Sequence, residues 1–255
     1  LEHHSKLNLR PRHRHPPAML IQSLTTACAL MGLRGRPPTM SAPPLVTESP
    51  SWPNIQTLLD EVPVFTVANA EEKPLEYQVD DQPMAIFHAD VSAAKTAFET
   101  ASSQFPDLEC DMIAVGLGAA YALTLGGKAT LVPGIRELTA LGMPEGLPAI
   151  GQELPLFACM QMTRDTEAGD TVVPLFLSVE DCDAAVKEAR AVAGDNAELE
   201  ITGLSLPGVI EHLMSIEDDK PTFCFVTPTK ATEHLSSYVG KGVYYRVVDE
   251  EKEKS

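Results

Sequence analysis

The sequence predicts an α/β protein with a mixed sheet, built as two tandem duplicated halves related by pseudo-twofold symmetry. Three observations predict it. The phrase VPVFTVAN at 62–69 returns as LPLFACMQ at 154–161, so that Pro63 and Pro155 stand 92 positions apart. Three further blocks follow in the same order. PMAIFHADVSAAKTAFETA at 83–101 matches VVPLFLSVEDCDAAVKEARAV at 172–192 with a small gap. DMIAVGLGAAYAL at 111–123 matches LEITGLSLPGVIEHL at 199–213, pairing Gly116 with Gly203. ATLVP at 129–133 matches TFCFVTP at 222–228, pairing Pro133 with Pro228. The third observation is the period, which is too long for a solenoid repeat and suits a small α/β module. The body is expected over 51–240, with repeat one at 62–142 and repeat two at 154–240.

Each unit reads alike. A strand (64–67; 156–160) begins just after Pro, where a missing backbone donor is tolerated. Polar turns follow, AEEKP in the first copy and RDTEAGD in the second. A second strand is predicted at 75–79, and its counterpart in the second copy is left unassigned. A buried apolar strand comes next (84–87; 172–177). In the helix after it, Cys182, Ala185, Val186, Ala189 and Val192 recur at helical spacing. Glu180, Asp181 and Asp183 crowd its start, where carboxylates favour the positive end of the helix dipole. Gly194 stops it. In the first copy Ser92 is the expected cap, and Ala94, Ala97, Phe98 and Ala101 form the face. Another strand (112–117; 200–204) leads into a helix (119–125; 207–216). A last strand ends at Pro133 or Pro228, and short helices follow at 135–141 and 230–239. Upstream, SWPNIQTLLDEVP reads as an amphipathic helix with Ile55, Leu58 and Leu59 on one side. Those three residues are a candidate apolar binding surface or a face packed onto the body.

Charge divides the chain. Residues 1–46 hold six basic side chains and one acid, and the remainder holds 13 basic and 35 acidic. So acidic a body repels nucleic acid and anionic lipid, which excludes nucleic-acid partners and leaves at most peripheral membrane association. Residues 1–50, basic and rich in Pro, Ser and Thr, read as a targeting leader, the alternative being an ordinary disordered tail. From Met19, MLIQSLTTACALMGL followed by RGRPP has the two-part form suited to a plastid with extra surrounding membranes. Residues 241–255 form a charged tail. No uninterrupted apolar run reaches the length of a spanning helix.

Candidate chemistry is sparse. VGLGAAY follows a strand and opens a helix, but Tyr121 stands where a dinucleotide fingerprint needs its third glycine, so the pair reads as a tight turn. Asp181 and Asp183 are two apart on a helix and do not face one another. His88, His212 and His234 lack ligand-spaced partners, and no nucleophile elbow or phosphate loop occurs. None of the five cysteines forms a C-x-x-C pair. Cys159, Cys182 and Cys224 read as small buried hydrophobes, with a disulfide among the four body cysteines left open. No catalytic residue, cofactor or metal is expected.

The blocks VPVFTV, PLFLSVEDCDAAV and LPGVIEHLM, in this order between Leu58 and Val239, resemble the Tic22 family of the chloroplast import machinery. The glycine-rich VGLGAAYALTLGGK and the polar TEHLSSYVG depart from the family pattern. The resemblance implies an α/β body with nonpolar grooves on both sides. It implies a non-enzymatic, chaperone-like binder of preproteins and transit peptides, in contact with envelope translocon subunits. The implied place is the plastid intermembrane space or envelope periphery. The alternative is a structural subunit of another plastid complex, such as a photosynthetic one.

Overall fold

The computed structural model describes residues 45–79, 82–166, 169–194, 198–216 and 222–239. Residues 1–44 of the expected leader and all of the expected tail lie outside the described residues. Two helices open the described chain, α1 (Leu45–Glu48) and α2 (Trp52–Asp60). The first half follows as β1 (Pro63–Ala68), β2 (Glu76–Val79), β3 (Gln82–His88), α3 (Val91–Gln104), β4 (Asp111–Gly116), α4 (Leu117–Leu125), β5 (Ala129–Val132) and α5 (Ile135–Ala140). The second half is β6 (Pro155–Ala158), β7 (Arg164–Asp165), β8 (Thr171–Phe176), α6 (Val179–Ala193), β9 (Thr202–Ser205), α7 (Leu206–Ser215), β10 (Phe223–Val226) and α8 (Thr229–Val239).

Each half builds one mixed sheet by the same pairings. In the first, β1 lies antiparallel between β3 and β4, and β3 runs parallel to β5 on its other side. In the second, β6 lies antiparallel between β8 and β9, and β8 runs parallel to β10. β2 and β7 are the hairpin partners of β3 and β8. The unassigned counterpart of the second strand is therefore β7. Its two polar residues carry no apolar alternation for a sequence to display.

The register corrects the alignment. Pro63 pairs with Gly116 and Pro155 with Ser205, so Gly116 corresponds to Ser205, and Gly203 to Ala114. Likewise Val132 corresponds to Val226, which sets Pro228 opposite Gly134 rather than Pro133. The two helix starts solve one problem differently. Ser205 Oγ accepts from the Gly208 N–H at 3.3 Å. At Gly116 there is no side chain, and the Asp60 carboxylate of α2 accepts from the Ala119 N–H at 2.9 Å. Matching glycine to glycine in sequence missed this exchange.

Inner-face residues of both sheets share one core. Val64, Phe87 and Leu131 meet Leu156, Leu175 and Phe225, with Leu117, Val209 and Ile210 from the two helices between. The α2 face, Trp52, Ile55 and Leu59, is buried in that same core, and Leu58 packs half-buried against it. The three-residue candidate surface is thus corrected for Ile55 and Leu59. Burying each is worth roughly 1.5–3 kcal/mol, and the sheets alone offer no other cover for that gap. Val46 of α1 also packs there, so the body begins a few residues before Ser51.

Outer faces are covered by helices that cross between halves. α3 covers the first sheet, with Phe65, Val91, Ala94 and Met112 in contact, and α8 of the second half adds Ala231 and Leu235. α6 covers the second sheet around Phe157, Cys159, Phe176 and Cys182, and Leu141, just after α5 of the first half, joins it. Phe65 and Phe157, the two phenylalanines of the repeated phrase, are both core anchors. Asp90 rather than Ser92 caps α3, its carboxylate accepting from the Ser92 N–H at 2.9 Å. Val192, expected on the apolar face of α6, is 69% exposed because it sits in the last turn, beyond the sheet.

Leu59→Ala should cost about 3 kcal/mol, the usual range for a fully buried leucine. Urea denaturation measures it, and a loss under about 1 kcal/mol would show that α2 is not an integral core element.

Candidate functional site

Four helices begin around one cavity of about 450 Å³ at the junction of the halves. They are α3 at Asp90, α5 at Gly134, α6 at Ser178 and α8 at Thr229. Helix starts expose N–H donors and attract anions. Here the protein's own side chains answer them. Ser178 Oγ accepts from the Asp181 N–H at 3.2 Å, and Asp181 Oδ2 from the Thr229 N–H at 2.9 Å. The Glu137 carboxyl is half-enclosed there, beside the backbone of Val179 from across the junction, which favours its charged form. Burial, with Asp90 adding repulsion, still pushes its carboxyl up. Glu180 takes both Arg136 and Lys230, the latter at 3.2 Å, and is held below the usual carboxylate range by them. The sequence assigned Glu180, Asp181 and Asp183 to the helix dipole. Glu180 and Asp181 in addition tie α6 to α5 and α8. The junction is a clamp in which the acids Asp90, Glu137, Glu180, Asp181 and Glu233 outnumber the bases Arg136 and Lys230.

A second crevice, of about 500 Å³, opens where α2 ends, bounded by Asp60, Glu61, Pro63, Gly116, Thr227 and Leu235. The VGLGAAY turn borders it. A Cβ at Gly118 would lie 2.7 Å from the Gln56 carbonyl, and one at Gly116 would lie 2.3 Å from Asp60 Oδ1. Both glycines permit close approach of α2, and a carboxylate stands at the helix start where a dinucleotide would place its phosphate. Elsewhere the surface carries large apolar side chains, Phe105 (51% exposed) and Leu108 after α3, Leu123 on α4, and Ile135 (56%) on α5.

Among the described residues no three His, Cys, Asp or Glu side chains converge as a metal site, and no helix is long and apolar enough to cross a membrane. Cys110, Cys159, Cys182 and Cys224 are free thiols. Burial, then the neighbouring Cys159, pushes the Cys182 thiol up to about 12, so it stays a protonated hydrophobe.

No family model matches the chain, and no curated protein sequence matches it. Solved structures match its shape, among them two of Tic22. Tic22 from Plasmodium falciparum superposes with a TM-score of 0.61 at 20% identity, over 74% of this chain and 99% of that one. Anabaena Tic22, described as a protein of protein transport, gives 0.57 at 19% identity, over 73% and 97%. The fold is that of Tic22. The described body thus spans nearly all of a Tic22 chain, and the resemblance read in the repeated blocks extends to the whole architecture. What the sequence could not give was the site geometry. Clamp and crevice both form between residues far apart in the chain, joined only by the crossing of α5 and α8.

Two buried histidine nitrogens, His88 Nδ1 and His212 Nε2, lack a hydrogen-bond partner, and burial lowers both pKa values. A His whose folded pKa lies below its unfolded value takes up its proton more readily in the unfolded chain. Stability is therefore full above about pH 6.5 and falls as pH drops toward the folded pKa. The slope from His88 is at most about 1.4 kcal/mol per pH unit. Urea midpoints between pH 7.5 and 5 should fall for the parent and less steeply for His88→Phe. An identical slope in the variant would refute this assignment.

Proposed function

We propose that this chain is a non-enzymatic, chaperone-like binder of preproteins in transit into a plastid, working at the envelope periphery or intermembrane space. The observation that carries the reading is the Tic22 fold, shared with an Anabaena protein of protein transport across nearly the whole length of that protein. Two features support it. The chain beyond residue 46 holds 13 basic against 35 acidic side chains, which suits basic targeting segments. Apolar side chains stand open on several elements, at Phe105, Leu108 and Leu123 of the first half and Val192 of the second. Charge would bring a basic segment in, and apolar contact would hold it.

The full chain should suppress aggregation of a chemically unfolded client at stoichiometric ratio. It should also bind basic transit-type peptides severalfold more tightly at 20 mM than at 500 mM salt, where screening shortens to roughly 4 Å. Light scattering and fluorescence anisotropy measure the two. Neither suppression nor low-salt binding would remove the reading.

A further inference from the structure

The geometry points to the open edge of β4 as the place where an extended, basic peptide segment adds as a further strand. This inference rests on the preprotein-binding reading and names the site and mode of contact. The bond from Leu117 N to Val62 O, 2.9 Å, fixes the phase of the β1–β4 ladder. Val64 with Val115, Thr66 with Ile113 and Ala68 with Asp111 therefore exchange bonds across it. Met112, Ala114 and Gly116 turn their N–H and C=O groups the other way, where no strand lies among the described residues. The Met112 N–H confirms the phase, since it is taken by the Asp111 side chain at 2.8 Å.

Of the outer strands, β4 is the longest, six residues against four in β5, β9 and β10. It contains neither Lys nor Pro, the residues that commonly blunt such edges. Its side chains from Ile113 to Val115 are half-buried, leaving apolar surface for alternate residues of an added strand. The crevice of about 500 Å³ opens at its Gly116 end and gives such a strand room. Charge selects the partner. Asp107, Glu109 and Asp111 stand exposed at one end and Asp60 and Glu61 at the other, and no Lys or Arg occurs between Lys95 and Lys128. An extended segment alternating apolar with Lys or Arg side chains matches edge and rim together.

The test uses Ala114→Pro in the full chain. Proline removes an outward N–H and leaves every bond to β1 intact. A fluorescein-labelled decamer alternating Val with Lys, Arg and Thr is titrated by anisotropy against parent and variant. The expected result is at least a tenfold weaker Kd for the variant, with a thermal midpoint within a few degrees of the parent. Equal affinity overturns the edge assignment and leaves preprotein binding standing. No binding by the parent overturns both. If the variant does not fold, the parent is titrated with two decamers N-methylated on odd or on even residues. One phase should lose binding more than tenfold, and equal binding of both phases overturns the proposal. A parent dimer that A114P dissolves, and that excludes the decamer, would also overturn it by assigning the edge to a second copy.

Discussion

Everything in this fold depends on burying two apolar sheet faces that neither half can cover alone. Each half makes a small mixed sheet, and strands such as β1 and β6 are buried on both faces along their whole length. A strand buried twice needs a partner layer on each side. Inside, that layer is the other half, with α2, α4 and α7 filling the space and Trp52 tilted against Tyr121 at 6.1 Å between ring centres. Outside, each sheet takes one helix of its own and apolar side chains from the opposite half, Ala231 and Leu235 of α8 on the first and Leu141 on the second. The two halves are therefore not two domains joined by a linker.

The same crossing makes the surface features. Because α5 and α8 change sides, their starts meet those of α3 and α6, and the junction fills with carboxylates that cap helices and salt bridges that join them. Because α2 must approach α4 closely, Gly116 and Gly118 carry no side chain there, and Asp60 supplies the missing cap. The crevice and the open end of β4 are left beside that contact. Binding surface in this fold is what close packing of the halves does not reach.

Much of the architecture was legible in the sequence, and the failures have physical reasons. Strand and helix positions follow from local periodicity and from Pro63, Pro155 and Gly194, all local signals. The register was misjudged at Gly203 and Pro228 because hydrogen-bond pairing does not require the same residue at equivalent points. The cap of α3 was misplaced by two residues because Ser92 and Asp90 are both good caps, and only backbone direction decides. Ile55 and Leu59 read as surface or core from their helix alone, and what lies opposite them, α4 first and then α7 and β10, comes from far downstream. The edge of β4 was invisible for a like reason. An unpaired edge is a property of neighbours, and no motif within DMIAVG announces it.

The sole tryptophan, Trp52, lies in the core shared by both halves and makes the central claim directly measurable. Urea unfolding of the full chain should be followed together by Trp52 fluorescence and far-ultraviolet circular dichroism. If the halves share one core, the two signals fall in a single coincident transition. A Trp52 transition that is complete while a large part of the dichroism survives would mean that one half stands alone, and would contradict the account.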